Sequence, residues 1–353
     1  MFKVFKALAV SLITLAAIGI FIAETDAVGA TGTCETRVYV ANYNSNDVSV
    51  IDSPSNTSVG SPIAVGNRPN HIAITPNGDF AYVTNSTSDT VSVIDTETNM
   101  VVATISVGAI PLGVAITPNG DFAYVTISGS NSVSVINTAT NTVVGSPIVV
   151  GSNPVDIAIA PSGNLAYVTN SVPNTVSVIN TSSNTVTNTI SVGTTPIAVA
   201  FAPDSATAYV ANYNSANVSV INTSSATVTT SVTVGTNPEG IAITPDGTAA
   251  YVANYNSNSV SVIDTSANTV TTTIPVTSLP EGIAITPDGA IAYVANYGAN
   301  TLSVIDISTN TVTGSVAVGT NPLSVGVLPC QVPTPTTTTT VASDSGVVPA
   351  FTG

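Results

Sequence analysis

Short alternations of apolar and polar residues recur along the chain between turns rich in Gly, Pro, Asn and Ser, the pattern of half-buried β-strands. Residues 240–276 show one full unit. Gly240-Ile241-Ala242-Ile243-Thr244 is short and apolar, and Pro245-Asp246-Gly247 turns it tightly, Pro presetting φ and Gly free to take φ > 0. Ala250 to Asn254 reads as a second strand, Tyr255 to Asn258 as a loop, and Ser259 to Asp264 as a third strand. Thr265 to Asn268 then turns the chain into a fourth strand from Thr269 to Val276. Tyr39, Tyr82, Tyr124, Tyr167, Tyr209, Tyr251 and Tyr293 mark seven copies of the unit at intervals of 42 or 43 residues. A four-strand repeat of that length is one blade, and seven blades close into a ring. The expected fold is all-β: a seven-bladed β-propeller of four-stranded antiparallel blades.

Proline assigns the edges. It is tolerated on an outer strand or at a bulge, where no ladder donor is lost, and Pro62, Pro147 and Pro275 all fall in the fourth strand. Both 43-residue intervals carry their extra residue there, in Gly60-Ser61-Pro62 and Gly145-Ser146-Pro147, which predicts bulges on an outermost strand. The ends predict how the ring closes. The last innermost-type run, Leu323 to Leu328, has no second strand after it, and the first Tyr strand, Arg37 to Asn42, has no innermost strand before it. Joining the two completes one blade by strand exchange between the termini. In the repeat alignment Cys34 and Cys330 both fall opposite Asn77, where the missing hairpin turn would be, so a Cys34–Cys330 disulfide is expected to replace it.

Charge then narrows the partners. The chain has nineteen acids, four bases and a net charge of −15, a balance that repels phosphate backbones and argues against nucleic acid. Lys3 and Lys6 precede an apolar run from Ala7 to Ala23, so residues 1–30 read as a secretory signal, an uncleaved membrane anchor being the alternative. Residues 31–330 form the propeller, and residues 331–353, opening Gln331-Val332-Pro333-Thr334-Pro335 and five threonines, read as a disordered Thr/Pro tail with no C-terminal anchor. The expected location is extracellular or at the cell surface.

Tyr82-Val83-Thr84-Asn85 and Tyr167-Val168-Thr169-Asn170 match the motif of the YVTN β-propeller repeat family, with Tyr-Val-Ala-Asn variants at Tyr209, Tyr251 and Tyr293. The chain resembles the propeller modules of archaeal surface-layer proteins and related exported bacterial proteins over residues 36 to 329. The resemblance implies a surface-exposed or secreted binding or structural module, and the wider family includes lactonase- and amine-dehydrogenase-type propellers, so the fold leaves catalysis open.

Candidate chemistry is sparse. His71 is the one histidine, and with both cysteines assigned to a bridge neither a metal site nor a partnered catalytic base is expected. No catalytic residue, metal or cofactor is predicted. Asp52, Asp95, Asp264 and Asp306 exchange with Asn between units, as do Asp246 and Asp288 in the Pro-x-Gly turns, which predicts turn-bonding acceptors. Departures from the repeat are more informative. The loop after the second strand carries Tyr43, Tyr213, Tyr255 and Tyr297 where other units have Ser, and Glu239 and Glu281 follow Pro238 and Pro280 on a loop expected on the same face. These six residues form a predicted binding arc for a glycan or a surface protein, the rings supplying area and the polar groups fixing orientation. The expected function is thus an exported, non-catalytic interaction module and not an enzyme. The alternative is a lactonase- or quinoprotein-type enzyme working at the channel mouth.

Overall fold

The computed structural model describes residues 36–53 and 55–329. Seven antiparallel sheets follow one another around a ring, as the repeat predicts. The sixth blade consists of Pro238–Ile243, Ala249–Asn254, Ser259–Asp264 and Thr269–Pro275, paired in that order from the channel outward. The third strand has the bounds read from the sequence, and the innermost strand starts two residues earlier. That displacement matters for the site below. A 3-10 turn at Ser128–Ser130 is the one helical element among the described residues.

The first blade takes its innermost strand, Pro322–Val327, from the far end of the sequence and its second, Arg37–Asn42, from the near end. Val38 pairs with Val327, Tyr39 with Gly326 and Val40 with Val325, and Leu328 N–H donates to Arg37 O at 2.8 Å. Cys34 and Cys330 lie outside the described residues, as do residues 1–30 and 331–353. The predicted outer-edge irregularities are present. In the first blade the outermost strand is split into Thr57–Ser58 and Ile63–Ala64, with Gly60 at φ 65° between them. In the third blade Gly145 at φ 70° accompanies a register shift opposite Val133–Val135.

Seven apolar clusters hold the ring, each formed by the facing surfaces of two neighbouring blades. The repeat tyrosine sits fully buried in each of them, because a large ring fills the wedge between twisted sheets. A buried phenol still needs a polar partner, and the next blade supplies it. Tyr82 Oη donates to Asn141 Oδ1 at 2.7 Å, Tyr124 to Asn184 at 2.6 Å and Tyr39 to Asn99 at 2.8 Å. Each accepting Asn sits in the left-handed region in the turn between third and fourth strands, a conformation its short amide tolerates.

One link in this relay is missing. Tyr167 Oη is buried without a partner, and the corresponding turn position in the fifth blade is Ala226, at φ 52°. Ala226→Asn is expected to raise stability by about 1–2 kcal/mol, through a new hydrogen bond to a buried hydroxyl and a residue better suited to positive φ. Guanidinium denaturation of the two proteins measures it, and an unchanged midpoint would remove the proposed link.

Candidate active site

Each innermost strand begins with a register break. In the sixth blade Pro238 pairs with Asn254 and Ile241 with Val252, so two residues, Glu239 and Gly240, span the gap. The seventh blade repeats this with Pro280 opposite Asn296 and Ile283 opposite Val294. A bulge of this kind re-aims the side chains it contains. Here both bulge positions line a central cavity of about 250 Å3 at the channel mouth. Glu239 and Glu281 therefore belong to innermost strands and face the channel, a correction to their expected place on a surface loop.

The two carboxyl groups stand on adjacent blades and are open to the cavity but otherwise enclosed by protein. Burial pushes Glu239 up to about 7. Burial, reinforced by the neighbouring Glu239, pushes Glu281 up to about 9. The pair acts as one titrating unit that holds a proton near neutral pH, because like charges in a poorly solvated site resist joint ionisation. The rest of that ring of positions is apolar at Leu112, Val155, Ile197 and Leu323 and polar at Asn70.

The adjacent ring of positions is His71, Gly113, Asp156, Ala198, Gly240, Gly282 and Ser324. Glycine at 240 and 282 is required by crowding: a Cβ there would stand 2.4 Å from Glu281 O and 2.3 Å from Leu323 O respectively. Gly113 has a different consequence. Lacking a side chain, it lets residues two blades apart meet, and His71 Nε2 lies 3.7 Å from Asp156 Oδ1. That distance supports ion pairing but not a hydrogen bond. Asp156 Oδ2 accepts from Val199 N–H at 3.0 Å, and burial raises the Asp156 carboxyl while His71 opposes the rise. His71 thus has an acidic partner, contrary to the sequence expectation. Its Nε2 faces Asp156 and its Nδ1 is buried without a partner, so the imidazole braces the wall and presents neither nitrogen as a ready base to the cavity.

The four loop tyrosines stand at the rim. Tyr43 N–H donates to Asn321 O at 3.0 Å, and Tyr213, Tyr255 and Tyr297 each donate at 2.9 Å to Thr195, Asn237 and Leu279, residues that lead into innermost strands. Ring centroids lie 6.5 Å apart for Tyr213 and Tyr255 and 6.4 Å apart for Tyr255 and Tyr297. The arc is therefore real as geometry. Burial raises Tyr213 and Tyr255, and the Glu239 and Glu281 charges add to the rise, which places the hydroxyls within electrostatic reach of the acid pair. None of the four lines the cavity itself. Sequence reasoning passed over Asp156, although its column already held His71; two polar departures two blades apart in one channel-facing column were the available signal.

Residues 149–327, just over half of the chain, match a family model described as the choice-of-anchor I domain. Residues 34–147 and 63–189 match that of the lactonase seven-bladed beta-propeller. No curated protein matches the chain by sequence. Among solved structures it is similar to Kuenenia stuttgartiensis hydrazine synthase, at 25% identity and TM-score 0.68 over 73% of this chain and 89% of that one. It is also similar to a functionally unknown protein from Desulfotomaculum acetoxidans, at 20% identity and TM-score 0.75, over 84% of this chain and all (100%) of that one. A third likeness is to a Bacteroides fragilis protein assigned as a 6-phosphogluconolactonase, at 18% identity and TM-score 0.72, over 84% and 99%. The last two establish the fold.

The lactonase match overturns the expectation of a non-catalytic module that is no enzyme, and it favours the channel-mouth alternative. These likenesses support a β-propeller family without distinguishing a surface-layer type. They give no support to secretion, adhesion or the Cys34–Cys330 bridge.

Proposed function

The chain belongs to the choice-of-anchor I domain family, and on that premise we propose that its channel mouth is a hydrolytic site for a lactone, a cyclic ester. Within propellers we place it nearest the YVTN-type repeats, on the Tyr82–Asn85 and Tyr167–Asn170 motifs. The observation that carries the proposal is the pair of bulge-directed carboxyls on adjacent blades in a small, largely apolar cavity. A carboxyl pair that shares one proton near neutral pH offers an ionised group as base and a protonated one as acid.

Whichever carboxyl of the pair is ionised takes a proton from water as the water oxygen attacks the ester carbonyl carbon. The tetrahedral adduct collapses with cleavage of the ring C–O bond, and the partner carboxyl, which holds the shared proton, delivers it to the departing alkoxide. One water is consumed and one hydroxy acid forms; proton exchange through the open mouth restores the pair. The product ionises, and its carboxylate is repelled by the acidic mouth, which favours release. The lactonase match over residues 34–189 supports the reaction class.

The test is pH-stat hydrolysis of a panel of γ- and δ-lactones. Glu239→Gln and Glu281→Gln are each expected to lower kcat by a factor of about 10²–10⁴ without lowering Tm. Hydrolysis that survives both substitutions would overturn the assignment.

A further inference from the structure

Three features of the mouth are not explained by a base and an acid alone. The first is the run of neighbouring aromatic rings Tyr213, Tyr255 and Tyr297, mutually tilted by 49° and 52° with centroids 6.5 and 6.4 Å apart. The second is at the end of that run, where the Arg68 guanidinium carbon lies 5.3 Å from the centroid of Tyr43. The rim thus already holds one cation on one tyrosine face, in the geometry by which a ring quadrupole attracts positive charge. The third is the state of the acids. Among the described residues Glu239 and Glu281 have no hydrogen-bond or ion-pair partner, the one ion pair being His71–Asp156.

An aromatic arc beside unpartnered, enclosed carboxyls selects for a particular chemistry. A metal ion is disfavoured, since no group of three or more His, Cys, Asp or Glu residues comes together among the described residues. An anion is disfavoured by the acid pair and by the net charge of −15, with Arg68 already engaged. A neutral ligand would use the rings but leave the carboxyls without a counter-charge. The apolar wall at Leu112, Val155, Ile197 and Leu323 favours alkyl groups over a hydrated ion.

We propose that the channel mouth recognises an organic ammonium cation, its alkyl groups against the faces of Tyr213, Tyr255 and Tyr297 and its charge toward Glu239 and Glu281. This names a charge class for ligands of the hydrolytic site and takes the location from that reading, but binding requires no hydrolysis. An ammonium-bearing lactone is the substrate class in which both hold. The raised proton affinity of the pair adds a signature: a bound cation favours the ionised form, so protons are released on binding near neutral pH.

Choline and its neutral isostere 3,3-dimethylbutan-1-ol differ in charge at nearly constant shape, which makes them the probes. Isothermal titration of the full chain is expected to show choline binding at least about tenfold more tightly than the alcohol. Choline binding should also release protons, seen as a dependence of the heat on buffer ionisation. Glu239→Gln/Glu281→Gln should erase the preference, and Tyr213→Ser/Tyr255→Ser/Tyr297→Ser should weaken choline by about tenfold or more. Should the triple variant melt early, Tyr255→Phe, which keeps the aromatic face, should bind as the parent does, and Tyr255→Leu should bind more weakly. Equal affinity for choline and the alcohol, or undiminished choline binding by the double Gln variant, overturns the proposal. Absence of lactone hydrolysis alongside selective choline binding overturns only the hydrolytic reading, and the reverse result overturns only this one.

Discussion

Deletion of residues 322–329 from the full chain is expected to abolish cooperative folding. The lost strand pairs with Arg37–Asn42, whose Val38, Tyr39 and Val40 are fully buried, and it brings Val325 and Leu328 into the interblade clusters. Its removal leaves an apolar, unpaired strand edge beside the channel. Burying an aliphatic side chain is worth about 1.5–3 kcal/mol, so loss of this strand and uncovering of its neighbours costs roughly 5–10 kcal/mol. That is comparable with the whole net stability of an ordinary domain. Calorimetry should find no sharp transition in the deleted chain, and a synthetic peptide spanning residues 322–329 should restore part of it by adding as a strand in trans. A truncated protein that melts at the parent temperature would contradict closure by strand exchange.

The acid pair makes a second large prediction, a loss of stability on the alkaline side. A carboxyl whose proton affinity is raised by folding binds a proton more tightly in the native state, so its contribution is intact below the ordinary carboxylate range. The contribution falls as pH rises toward the native values, about 7 for Glu239 and about 9 for Glu281. Between pH 5 and pH 9 the parent should therefore lose stability relative to Glu281→Gln, which cannot ionise, by on the order of 2–4 kcal/mol. The raised Asp156 carboxyl works in the same direction. On the acid side the signs reverse. Asp95, Asp246, Asp264, Asp288 and Asp306 are held below the usual carboxylate range by hydrogen bonds from nearby Ser and Thr hydroxyls and turn N–H groups. Their contribution is present above that range and disappears as they protonate. Denaturant titrations of the two proteins at pH 5, 7 and 9 measure the alkaline limb, and parallel curves for parent and variant would refute it.

The architecture was legible because each level of the sequence repeats the same instruction. Strand alternation, Pro-x-Gly turns, outer-edge prolines and the unpaired runs at both ends agree with one another, and the pairing of Tyr39 with Gly326 follows from them. The site was legible only in part. Repeat departures singled out Glu239, Glu281 and the four tyrosines as candidates, but a linear alignment placed the two acids on a loop, because a bulge of one residue is invisible in an apolar pattern. The meeting of His71 and Asp156 was hidden for another reason. Their 85-residue separation in sequence says nothing of proximity; closeness arises where seven strands converge on an axis and the intervening residue is Gly113. The function was misjudged from scarcity. Few charged residues in a chain say little about catalysis when two carboxyls on adjacent blades meet at one channel mouth.

The direction of the closing strand fixes how the molecule is oriented by its ends. Pro322–Val327 starts at the mouth and runs away from it, and Arg37–Asn42 runs back toward it, so the described chain both enters and leaves from the face opposite the cavity. A reporter group attached at residue 36 or residue 329 would therefore sit across the ring from the cavity and leave the entrance unobstructed.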